Sequence, residues 1–136
     1  MKKRLLSLLL ALTLVFSAGM STMAAESRKT SYVDVRTSGG SSGYITIRFR
    51  ATCQQDNIPT NYSWSSTITP PAEAKGLSYS QNGAITRENH SQYTFSTTRS
   101  FFSKVFSNDA IKGGYVDMEA GSSAFGTAKQ HISVDR

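Results

Sequence analysis

The chain has 136 residues, 38% of them hydrophobic and 18% charged, with a formal net charge of +6. That length is one domain's worth, and a single cysteine, Cys53, excludes an intramolecular disulfide. The basic residues are scattered along the sequence, which argues against a nucleic-acid-binding face.

Residues 1–25 read as a cleavable secretory signal. Lys2, Lys3 and Arg4 form a basic start, Leu5 to Phe16 an apolar stretch broken only by Ser7 and Thr13, and small residues run to Ala25. The apolar stretch falls short of the roughly 20 residues that span a bilayer, so the reading is cleavage after Ala24 or Ala25 and no stable membrane anchor afterwards. The Lys-Lys-Arg start looks bacterial. Cleavage removes three of the fifteen basic residues and none of the nine acidic ones, leaving twelve against nine and a net charge of +3. The expected location is secreted and extracellular. No lipobox cysteine stands at the cleavage site and no sorting signal ends the chain, so free release is the default expectation.

Glu26 to Thr30 reads as a flexible leader, and residues 31–136 as a single β-rich domain. Ser31 to Thr37 alternates, with Val33 and Val35 opposite Tyr32, Asp34 and Arg36. Tyr44 to Cys53 alternates most clearly. Ile45, Ile47, Phe49, Ala51 and Cys53 share one face, which places the Cys53 thiol in the core, and Arg48 and Arg50 point the other way. The intervening Ser38 to Gly43 predicts a loose hairpin loop. Tyr62, Trp64, Ser66 and Ile68 form a third alternating face, ended by Pro70-Pro71.

Asn82-Gly83 is the strongest local turn cue, predicting a hairpin between Leu77–Gln81 and Ala84–Glu88. Gln92 to Thr98 reads as a strand with Tyr93, Phe95 and Thr97 on one side. Phe101, Phe102, Val105 and Phe106 recur at helical spacing behind Ser100, which leans towards one short helix near 100–108, and Gly113-Gly114 reads as a turn. Tyr115 to Ala120 and Thr127 to Val134 close the set. In them Val116, Met118, Ala128, Ile132 and Val134 point inward. About seven strands at such spacing predict an all-β fold: a small antiparallel β-sandwich, Ig-like or jelly-roll-like, with a small β-barrel as the alternative.

Catalytic chemistry finds no constellation. His90 reads as part of a polar turn, His131 faces solvent, and Cys53 lies on an apolar face, so no thiol–imidazole pair is expected. Asp117 and Glu119 share a strand face and, with Asp109 or Asp135, could be weighed for calcium. A calcium loop is absent, and a solvated strand face is the better reading. No metal, cofactor or catalytic residue is expected. The aromatics remain: Tyr44, Tyr62 and Trp64 are the candidate ligand-binding residues, since flat rings beside polar donors stack on sugars or meet a protein. The functional expectation is a secreted, non-enzymatic, monomeric protein that binds a glycan or protein partner outside the cell. A secreted antibacterial or toxin-like protein is the alternative.

Overall fold

A computed structural model describes residues 27–55 and 61–136, so the signal reading of residues 1–25 lies outside the described residues. Eight strands run through them: β1 (Ser27–Arg36), β2 (Thr46–Gln55), β3 (Asn61–Thr69), β4 (Ser78–Arg87), β5 (Tyr93–Thr97), β6 (Phe101–Ser107), β7 (Ile111–Ser122) and β8 (Gly126–Asp135). They pair antiparallel in two four-stranded sheets, β1-β2-β3-β6 and β5-β4-β7-β8. This is a small antiparallel β-sandwich, with the two sheets not closed into a barrel.

Period-two alternation builds both layers. In sheet 1, Ile47, Phe49, Ala51 and Cys53 of β2 and Trp64, Ser66 and Ile68 of β3 are buried. Facing them from sheet 2 are Ile85 of β4, Val116, Met118 and Ala120 of β7, and Ala128, Ile132 and Val134 of β8. The large rings gather at one side. Trp64 lies 6.5 Å from Phe95, Phe95 stacks on Phe102 at 4.0 Å, and Tyr93 meets Phe106 edge-on at 5.4 Å. A buried polar bridge crosses between the sheets: Ser66 Oγ donates to Gln81 Oε1 at 2.6 Å, and Gln81 Nε2 donates to the Arg99 carbonyl at 3.1 Å. It gives Gln81, the one buried side-chain amide among the described residues, its partners.

Several local readings give way to tertiary demands. Asn82-Gly83 is not a turn, because β4 runs straight through it between β5 and β7. A Cβ on Gly83 would come within 2.5 Å of the Phe95 ring, so glycine is there to let that ring fold over the strand. Gly113-Gly114 likewise lies inside β7, where a Cβ on Gly114 would meet the Ala84 carbonyl at 2.7 Å and the Trp64 ring at 2.9 Å. Residues 101–107 are strand β6 and not the short helix expected near 100–108. At the sheet edge Phe102 and Phe106 turn inward, while Phe101 and Val105 stay 53% and 56% exposed on the outer face. The leader expected over 26–30 is strand from Ser27 on, because Ser27–Thr30 pairs with Thr52–Gln55; Glu26 lies outside the described residues.

The 38–43 loop is not loose. It crosses to the β7–β8 turn, where Ser38 N and Gly39 N donate to the carbonyls of Thr127 and Phe125 at 3.0 Å and Ser42 N to that of Ala124 at 2.7 Å. That turn spans 123–125 and ends on Gly126 at φ +78°, the left-handed residue that closes a three-residue hairpin loop.

Cys53 is free and fully buried, and desolvation pushes its thiol up to about 11. Register and packing predict opposite responses from neighbours. Ile47→Ala, at a fully buried position, should cost about 2–5 kcal/mol. Arg48→Ala, which removes an exposed ion pair with Asp34, should leave stability close to that of the parent. Denaturant melts of the two variants check this. In the same assay Gly114→Ala should destabilise by about 1–3 kcal/mol, the cost of overpacking against the Trp64 ring.

Candidate functional site

The outward residues of sheet 2 form two adjoining hollows, with a third of about 220 Å³ beside Tyr115, Ser133 and Asp135. One, of about 310 Å³, is lined by Ser80, Asn82, Asp117, Glu119, Lys129 and His131 among others; the second, of about 490 Å³, shares Ser80 and Glu119 with it and extends over Gly121 and Thr127. Together they make a shallow polar trough across β4, β7 and β8.

Register puts these groups in rows. Asn82, Asp117 and His131 stand side by side on successive strands, as do Ser80, Glu119 and Lys129. The short 123–125 turn fixes the β7–β8 half of that pairing, and the uninterrupted course of β4 supplies the third strand. At Gly121 the β7 and β8 backbones crowd together, since a Cβ there would come within 2.6 Å of the Gly126 carbonyl.

Hydrogen bonds hold the side chains in place. Ser96 Oγ donates to Asn82 Oδ1 at 2.6 Å, and Asn82 Nδ2 donates to Ser80 Oγ at 3.3 Å. His131 Nδ1 lies 2.6 Å from Asp117 Oδ1, and its ring stacks at 5.4 Å on Tyr115, which is exposed. Lys129 Nζ stands 3.9 Å from Glu119 Oε2. The trough therefore offers carboxylate and amide acceptors and amide and ammonium donors, and the Tyr115 ring stands beside it on His131, lining a third hollow with Thr86, Ser133 and Asp135.

Neither metal nor acid cluster assembles from the carboxylates weighed for calcium. Asp117 pairs with His131, whereas Asp109, 3% exposed, turns to His90 Nδ1 at 2.5 Å, Arg87 Nη1 at 3.4 Å and the Asn89 amide at 3.1 Å. Among the described residues no three metal-binding side chains gather. Burial works against the Asp109 charge, but the Asn89 amide, the His90 ring and the Arg87 guanidinium outweigh it and hold the carboxyl below its usual range. Asp109 thus pins the 88–91 loop to the β6–β7 connection.

The three aromatics singled out in the sequence are not brought together. Tyr44 is exposed just before β2, with the Arg36 guanidinium 3.6 Å over its ring. Tyr62 pairs with Gln55 at the far end of β2, is half-buried against the core, and has Arg136 over its ring at 4.9 Å. Trp64 is fully buried, so it presents no surface to a ligand; its partners are Phe95 and Gly114. The trough residues carry an alternation signal that was readable. Tyr115, Asp117, Glu119, Lys129 and His131 all fall on outward positions, but Asn82 was hidden by its reading as a turn. No protein-family model, curated protein or solved structure matches the chain.

The Asp109 pairing predicts an acid-sensitive contribution to stability. Because its folded value is depressed, that contribution is complete above the unfolded carboxyl value near 3.9 and is lost as pH falls through the folded value. Asp109→Asn should therefore destabilise clearly at pH 7, with the gap to the parent protein narrowing towards pH 3, as followed by thermal melts across that range.

Proposed function

We propose that the chain is a secreted, non-enzymatic β-sandwich protein that binds a glycan through the trough on sheet 2. The observation that carries this reading is the row Asn82–Asp117–His131 beside the exposed Tyr115 ring. Paired acceptors and donors fit vicinal hydroxyls, and an aromatic ring fits the apolar face of a sugar. Partner side chains already hold Asn82 and Asp117 in place, so little ordering is required on binding.

An open, shallow trough suits a chain segment of a polymer better than a small molecule, which needs a deep enclosing cavity. The same opening leaves water in reach of every polar group, which favours reversible binding over chemistry that depends on a dry site. Support for the antibacterial or toxin-like alternative weakens, because its one helical feature, residues 101–106, is edge strand β6.

Titration calorimetry of the secreted protein against neutral oligosaccharides tests the reading. Tyr115→Ala and Asn82→Ala should each weaken binding about tenfold, equivalent to about 1.4 kcal/mol, with melting unchanged. Oligosaccharides that fail to bind, or that bind both variants as well as the parent, would remove the trough as the site.

A further inference from the structure

The outer face of sheet 1 differs in chemistry from the trough. Pairing of β1 with β2 places Arg36 beside Thr46, Asp34 beside Arg48, Tyr32 beside Arg50, and Arg28 beside Gln54. Residues that are far apart in sequence therefore line up as one exposed strip carrying four arginines and a single carboxylate. The strip spans nine residues of β1, from Arg28 to Arg36, eight steps or about 27 Å, and its rows recur about every 6.5 Å along the strand.

Three of its guanidinium groups are held by neighbours: Arg28 Nε donates to Gln54 Oε1 at 3.1 Å, and Arg48 and Arg36 each lie over a tyrosine. Arg48 is forked onto Asp34, with Nε to Oδ1 at 2.8 Å and Nη2 to Oδ2 at 3.1 Å, and its Cζ lies 4.5 Å over the Tyr32 ring. Arg36 lies 3.6 Å over Tyr44. Cation–π contact steadies both guanidinium groups against the rings. Asp34 is taken up by Arg48, whose hydrogen bond holds its carboxyl below the usual range. Beyond the strip, Thr52, Ser65 and Ser103 cross the sheet in one row of hydroxyls towards the β6 edge.

We propose that this arginine–tyrosine strip is a second binding surface, and that it takes a linear polyanion of the glycerol-phosphate type laid along β1 and β2. Charge complementarity selects the class: with Arg48 balanced by Asp34, Arg28, Arg36 and Arg50 leave the strip an excess of three positive charges, and a guanidinium matches phosphate oxygens in pairs. Spacing selects the form, because one phosphate per three-carbon unit recurs on the scale of alternate strand residues. Flatness and open ends allow a polymer of any length to run through. The strip lies on the opposite layer from Tyr115 and Asn82, so its failure leaves the trough reading standing, and the reverse holds too.

The test is binding of the secreted protein to poly(glycerol phosphate), followed by calorimetry at 20 and 200 mM salt as orders of ionic strength. The result expected is binding that weakens steeply with salt. Replacing both Arg36 and Arg50 by Gln should weaken it about tenfold or more and flatten the salt slope by roughly 0.7 per arginine, if the single-strand value for phosphate contacts holds. Lys75→Gln, which removes one exposed charge from the β3–β4 connection, should change binding by less than about twofold. Thermal melts of the variants should match the parent. Absence of binding, or an equal loss with Lys75→Gln, would overturn the proposal. So would tighter binding of single-stranded DNA at equal phosphate concentration. Salt-sensitive self-association abolished by the double arginine variant would also overturn it, since it would make the Asp117–Glu119 face of a second copy the occupant.

Discussion

Two glycines and two rings set the spacing of the sandwich. The Trp64 ring projects from sheet 1 onto the β7 backbone at Gly114, and the Phe95 ring folds over β4 at Gly83. Packed sheets stand about 10 Å apart; the Trp64 ring fits that gap over Gly114 of the opposite sheet, while the Phe95 ring lies over Gly83 on the neighbouring strand of its own sheet. Each glycine weakens its own strand slightly, and the aromatic burial offsets that. The fold depends on this exchange of volume. Move β4 by one residue and Gly83 leaves the Phe95 ring, Gln81 leaves Ser66, and Asn82 leaves the row it shares with Asp117.

That last link joins core to surface. The alternation that sends Gln81 and Gly83 inward is what sends Ser80 and Asn82 outward into the trough. On the other layer, Ile47 and Phe49 in the core oblige Arg48 and Arg50 to stand outside beside Asp34 and Tyr32. The outer faces thus acquire opposite characters: arginine and tyrosine over sheet 1, carboxylate, amide and hydroxyl over sheet 2. A net charge that looks mild and scattered along the sequence is sorted into two layers by strand pairing.

What was legible follows from the range of the interactions involved. β2, β3 and the inward sets of β7 and β8 could be read directly, because burial of one face repeats every second residue and needs no knowledge of the partner. Asn82-Gly83 and Gly113-Gly114 misled because glycine answers two different needs. A turn needs its backbone freedom, whereas here a neighbouring ring needs its missing Cβ, and only the partner strand tells the two apart. Phe101, Phe102, Val105 and Phe106 fit a helix or an edge strand equally by spacing; pairing with β3 decides between them. The rows of both surfaces were illegible for the same reason, since Tyr32 beside Arg50 or Asp117 beside His131 is a fact of register. Single aromatics drew attention instead, and Trp64, the largest of them, is spent on the core.

Burial of Cys53 governs how its thiol can meet an oxidant. Its sulfur has no route to an oxidant while the sheets are closed, and the raised thiol value leaves almost no thiolate at neutral pH even where a reagent arrives. Oxidation and cross-linking between chains must therefore proceed from opened molecules. The redox lifetime of the protein is then governed by how often the two sheets part over β2, and a chemically ordinary thiol becomes a counter of opening events.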